Sequence, residues 1–183
     1  MARHDRWIAA LLVLGATASL TACGQAHRRD IPHDAISGGQ TLSEMRAAVS
    51  DIPGLSIDVG GGEGPNVKGN TGYDIAVTVS PGYRITDGPA LITFLTESVW
   101  SVREGYMPNA QISITVKDDA GSGFDASFAA AAAGWIEPRE PVPDSHGFTV
   151  ANINVRDGSP ARQRLGDWPG DVPAVPTDVT AAK

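Results

Sequence analysis

The chain has 183 residues, 42% of them hydrophobic and 19% charged, which suits one modest globular domain and is too apolar for wholesale disorder. Fourteen Lys and Arg stand against 21 Asp and Glu, a formal net charge of -7, and such a balance repels nucleic-acid backbones and argues against DNA or RNA as a partner. The single cysteine excludes an intrachain disulfide framework, a four-thiolate zinc site and a Cys-x-x-Cys redox centre.

Residues 1–22 read MARHDRWIAALLVLGATASLTA. Arg3 and Arg6 precede an apolar run from Trp7 to about Leu14, and small residues lead up to Cys23, the architecture of a secretory signal. The run is about half of the ~20 residues that a membrane span requires, so a permanent span is not expected. Leu20-Thr21-Ala22-Cys23-Gly24 resembles the lipobox of bacterial lipoproteins. That resemblance implies cleavage before Cys23, a diacylglyceryl group on its thiol and acylation of the freed amine. At about 0.8 kcal/mol per buried methylene, two or more chains make a stable anchor. Removing residues 1–22 takes away Arg3, Arg6 and Asp5, leaving an exported part more acidic still. Attachment to anionic lipid is therefore expected to rest on the acyl chains, with no polybasic patch to help.

Residues 23–40 mix Gly, charge and Pro without a period and are expected to be a flexible tether with a reach of roughly 20 to 25 Å. Residues 157–183 hold Pro160, Pro169, Pro173 and Pro176 with Leu165 and Trp168 as the sizeable apolar anchors, and are expected to be a disordered tail. Residues 41–156 then form the folded body.

The body opens on Thr41-Leu42-Ser43-Glu44, a capping box, and Leu42, Met45, Val49 and Ile52 form a helical stripe that Pro53-Gly54 ends. Leu55, Ile57 and Val59 alternate as a strand, and Tyr73, Ile75, Val77 and Val79 do so again. Asp87 and Pro89 start a second helix with Leu91, Leu95, Val99 and Val102 on its core face, closed by Gly105 and Pro108. Ile112, Ile114 and Val116 mark a third strand. Alanine-rich Phe124 to Ala133, before Gly134, favours a third helix. Phe148, Val150, Ile153 and Val155 break strict alternation, which suits a fourth strand that is bulged or at an edge. The order α-β-β-α-β-α with this further strand predicts an α+β two-layer sandwich with a right-handed crossover between the second and third strands.

The phrase Ile52-Pro53-Gly54-Leu55-Ser56-Ile57-Asp58-Val59 resembles uncharacterised lipoproteins of high-GC actinobacteria and is distantly similar to envelope domains of the BON type and to heavy-metal-associated domains. The last of these places two cysteines in its first loop, and residues 41–156 contain none, so metal transfer by that route is not expected.

Five features invite a functional reading. The loop Gly60–Gly72 is long for a hairpin. Gly64 and Gly69 have the spacing of a phosphate loop, but Asn70 stands at the lysine position and a strand follows, so a flexible connection is preferred to a ligand loop. Asp118, Asp119, Ser122 and Asp125 offer oxygen donors for calcium, or a turn and a helix cap, and the cap is the simpler expectation. His27, His33 and His146 lie outside predicted core faces, and no Gly-x-Ser-x-Gly or His-Glu-x-x-His motif accompanies them. Glu97 and Glu104 are seven apart and fit a wet helical face better than a catalytic pair. Trp100 and Trp135 read as core, while Tyr73 and Tyr83 are candidates for a sheet face left bare.

The sequence therefore predicts a lipoprotein anchored through Cys23 on the extracytoplasmic face of the cell membrane. It is expected to act without cofactor, metal or catalysis by binding another envelope protein or a glycan. A small-ligand or calcium-binding lipoprotein, and an envelope hydrolase without a recognisable motif, are the alternatives.

Overall fold

The computed structural model describes residues 31–118, 123–141 and 147–183, and the elements below lie within the unit Pro32–Lys183. In chain order they are α1 (Leu42–Ser50), β1 (Leu55–Gly61), β2 (Gly72–Val79), β3 (Tyr83–Ile85), α2 (Gly88–Trp100), β4 (Gln111–Lys117), α3 (Ala126–Ala132), β5 (Phe148–Asn154), α4 (Pro160–Leu165) and β6 (Thr180–Ala182). This is an α+β fold, and the predicted succession is present with β3, α4 and β6 added.

Local chemistry sets the helix starts. Thr41 and Glu44 form a reciprocal capping box, satisfying backbone donors that the first turn leaves open. The carboxylate of Asp87 accepts from the Ala90 N–H at 3.0 Å, with Pro89 pre-set for the opening turn of α2. α2 ends at Trp100, so Val102 and Glu104 belong to the segment that follows it and not to the helix. Gly54 sits at φ +74 where any Cβ would collide with the Tyr83 ring; only glycine turns the chain there from α1 into β1.

The main sheet has the order β1-β2-β4-β5. β1 and β2 are antiparallel, β2 and β4 parallel, and β4 and β5 antiparallel. A parallel pair needs a crossover, supplied here by β3 and α2. Period-two alternation puts Tyr73, Ile75, Val77 and Val79 in the core together with Ile112, Ile114 and Val116. Each large apolar side chain so buried contributes about 1.5–3 kcal/mol. The opposite face carries Ser56, Asp58, Ala76, Thr78, Ser113 and Thr115, exposed or half-exposed.

β5 pairs with β4 residue for residue from Phe148 to Asn154. It is an edge strand without a bulge. The irregular pattern seen in sequence arises because Phe148 and Val150 are apolar residues on the outer face, while Ala151, Ile153 and Val155 keep strict alternation inward.

Two expectations about the flanks are corrected. Residues 157–183 are not a disordered tail: they contain α4 and β6, and β6 pairs antiparallel with β3. The segment between them straps the outer side of α2. Trp100 donates its indole N–H to the Asp167 carbonyl at 3.2 Å, and the Thr86 N–H reaches the Val179 carbonyl at 2.9 Å, so the strap runs from the end of α2 back to its start. Gly170 lies so close to Trp100 that a Cβ would stand 2.8 Å from the indole. Likewise, residues 32–40 of the expected flexible tether are bonded to 101–107. Asp34 and Ala35 donate to Gly105 and Arg103, and Gln40 both donates to Ser101 and accepts from Arg103. The Gln40 amide is buried against the Ser101 hydroxyl at 2.8 Å.

Ile114→Ala is expected to cost about 2–5 kcal/mol of stability, whereas Thr78→Ala on the outer face stays within about 0.5 kcal/mol, as urea unfolding will show. Ending the chain after Arg156 removes the strap, and the expected result is a lowered melting temperature with dye-binding apolar surface on α2.

Candidate functional site

A groove of about 560 Å³ lies beside β5. The turn after α3 forms one wall with Glu137, Pro138 and Arg139, and the other is formed by Asn152 and Asn154 of β5, with Ser159 and Pro160 closing one end. Trp135, Ile136 and Ala161 also line it.

Three bonds hold the Trp135 side of this groove rigid. The Trp135 N–H donates to the Ala130 carbonyl at 2.9 Å, closing the end of α3, and its indole N–H donates to the Thr93 hydroxyl of α2 at 3.0 Å. The Arg164 guanidinium lies 3.7 Å from the centroid of the Trp135 ring and donates to the Ala133 carbonyl at 2.6 Å. At the far end Ser159 caps α4 through Arg162 N–H and donates to the Asn154 carbonyl at 2.8 Å.

A second arginine repeats the arrangement on the other tryptophan. The Arg162 guanidinium sits 4.3 Å from the centroid of the Trp100 ring, its Nη2 contacts the Met107 sulfur at 3.3 Å, and burial lowers its pKa. Trp100 and Trp135 are core residues, 1% and 3% exposed, as the sequence predicts; the cation over each ring comes from the segment expected to be tail. Ser159-Pro160, a cap followed by a first-turn proline, is the sequence signal of α4.

The loop after β1 does connect two paired strands, but it is tied down. Asn66 Oδ1 accepts from the N–H groups of Lys68 and Asn70. Asn109 accepts from the Thr71 N–H and donates to the Gly69 carbonyl, and the Gly62 carbonyl accepts from Tyr106. Asn66, Asn70, Gln111 and Arg156 line a smaller polar hollow of about 290 Å³ at this end of the sheet.

Of the acidic cluster, Asp119 and Ser122 lie outside the described residues. Asp125 is the α3 cap, its Oδ1 accepting from Ser127 N–H, Ser127 hydroxyl and Phe128 N–H at 2.8 to 3.0 Å, and Asp118 is buried at the end of β4. Among the described residues no three His, Cys, Asp or Glu side chains converge to hold a metal. Cys23, His27 and His146 also lie outside the described residues. His33 is exposed, 3.2 Å from Asp34 and tilted against the Tyr106 ring. Glu97 and Glu104 are separated: Glu104 accepts from the Leu42 N–H at the start of α1, while Glu97 is half-buried under the strap side of α2. Burial holds the Glu97 carboxyl above the usual glutamate range, against the opposing pull of Arg164.

Neither tyrosine faces the bare side of the sheet. Tyr73 is on the core side, where burial pushes its phenol up to about 12, and Tyr83 packs on the core edge beside Gly54. The aromatic on the outer face is Phe148, 60% exposed. Among the described residues no helix is long and apolar enough to cross a membrane.

Asp125→Ala is expected to cost about 0.5–2 kcal/mol through the lost cap, measured by urea unfolding. Because folding raises the Glu97 pKa, its contribution favours the native state below the unfolded-state value and is lost as pH rises through the folded-state value. Glu97→Gln is therefore expected to unfold at higher urea than the parent at neutral pH, with the difference vanishing in acid. No gain at neutral pH would contradict the burial argument.

No protein-family model, no curated protein and no solved structure matches this chain.

Proposed function

We propose that the chain is a lipoprotein module of the cell envelope, held through acylated Cys23 on the extracytoplasmic face, that works by binding another envelope component and performs no chemistry of its own. The observation that supports binding is the groove beside β5: a pre-formed hollow of about 560 Å³, of the size usual for recognition sites, with a floor fixed by bonds to α2, α3 and α4. The outer face of the sheet, exposed or half-exposed among the described residues, continues from its Asn152 and Asn154 wall. Anchoring adds mass action, because confinement to a surface raises the effective concentration of the module for its neighbours.

Metabolic labelling with palmitate is expected to mark the parent protein and leave Cys23→Ser unlabelled and released from the membrane fraction. Photocrosslinkers placed at Glu137 in the groove and at Ala76 on the sheet are expected to recover a recurrent envelope partner from at least one position. An unmodified thiol on native protein would remove the anchor, and only random membrane neighbours at both positions would remove the binding role.

A further inference from the structure

The four-stranded sheet has two edges, and they are defended unequally. β1 carries Asp58, runs out in Gly60 and Gly61, and is crossed by Arg46, whose Nη2 donates to the Val59 carbonyl at 3.2 Å. β5 reads Phe-Thr-Val-Ala-Asn-Ile-Asn: it has no charge, no proline and no bulge, the three devices by which native edges commonly prevent further pairing.

The ladder shows which backbone groups that edge offers. The Asp118 N–H donates to the Gly147 carbonyl and the Val155 N–H to the Ala110 carbonyl. Odd-numbered residues therefore bond toward β4. In an antiparallel ladder the even-numbered ones then turn both N–H and C=O off the edge. The Asn154 carbonyl already accepts from Ser159. Those of Val150 and Asn152 have no hydrogen-bond partner among the described residues.

Asn152 lines the groove, Val150 is the next outward-bonding residue along the strand, and the wall opposite decides what can enter. A strand occupies about 4.8 Å along the sheet, about 10 Å across it and about 3.3 Å per residue, so about 560 Å³ accepts three or four extended residues. A second copy of this chain would have to bring a whole sheet and its helices between β5 and Glu137–Arg139. We infer that the β5 edge takes a short extended peptide from a protein partner as an added strand, bonded through the backbone of Val150 and Asn152, with an apolar side chain laid on Ile136. This rests on the reading of the chain as a binding module and is independent of the lipid anchor.

The test uses the full-length protein in detergent and a phage-displayed library of short random peptides. Selected peptides, resynthesised, are measured against the parent and against Asn152→Ala, which loses the groove-lining amide but keeps the backbone N–H. Asn152→Pro, which beyond the side chain removes an N–H directed off the edge, is expected to bind about tenfold or more weakly than Asn152→Ala, the scale of one or two lost hydrogen bonds. As a check that does not require the proline variant to fold, N-methylation of alternate peptide amides is expected to abolish binding in one phase of the alternation and spare it in the other. Failure to select any peptide, equal binding to the folded proline variant, insensitivity to methylation phase, or dimerisation of the chain through β5 would each overturn the inference. Recovery of a recurrent partner by the crosslinkers above alongside any of these failures would leave the binding-module reading standing and this edge excluded from it.

Discussion

Helix α2 buries side chains around most of its circumference and leaves Ala90, Thr93 and Glu97 as a half-buried line, so one layer cannot cover it. Leu91, Ile92, Phe94, Leu95, Val99 and Trp100 are all at most 3% exposed, far more than one sheet face can bury. The sheet takes one side, α3 packs beside it, and the strap of residues 167–179 lies over Trp100 and the Thr93–Glu97 line. Much of the remaining architecture follows from that second layer. β6 pairs with β3, Arg162 and Arg164 lie over the two tryptophans, and the 32–40 segment seals the exit of the helix through the buried Gln40 amide.

What could be read from sequence were the parts whose information is local. Capping at Thr41 and Asp87, the turn at Gly54 and the alternation of β2 and β4 are written in neighbouring residues, and the α+β class follows from their order. The strap was not legible because its stabilising contacts are long in sequence: Thr180 bonds to the Pro53 carbonyl and Trp100 to Asp167, while its own composition of Pro, Gly and Asp resembles that of an unstructured segment. A sign of it lay elsewhere, in Ile92, Phe94 and Trp100, apolar residues of α2 outside the Leu91-Leu95-Val99 face, which need a cover without saying which residues supply it. For the same reason the groove was invisible. It depends on the turn at 134–139 meeting β5, two segments joined only by the fold.

The phase of β5 is instructive in its own way. Reading Phe148 and Val150 as inward made the strand look irregular, yet the register is regular and those two side chains are exposed or half-exposed on the outer face. An apolar residue on an outer face disguises a regular strand as a bulged one, and at an edge it also marks surface that the isolated domain has no need of. The groove and the uncharged strand share Asn152 and Asn154, and the exposed Phe148 ring stands at the other end of the same strand.

Synthesis proceeds from the N-terminus, and the β3–β6 ladder joins residues 83–85 to residues 180–182. A nascent chain thus has α2 made and its sheet partners emerging well before anything can cover the helix's other side. Closure over so long a separation adds a loop-entropy cost that grows only logarithmically with length, so the completed state is not greatly penalised, but it is reached late. Until residues 167–182 are available the Trp100 indole lacks its Asp167 partner and β3 lacks the β6 ladder, so the cover of α2 is the last part of the fold to be completed.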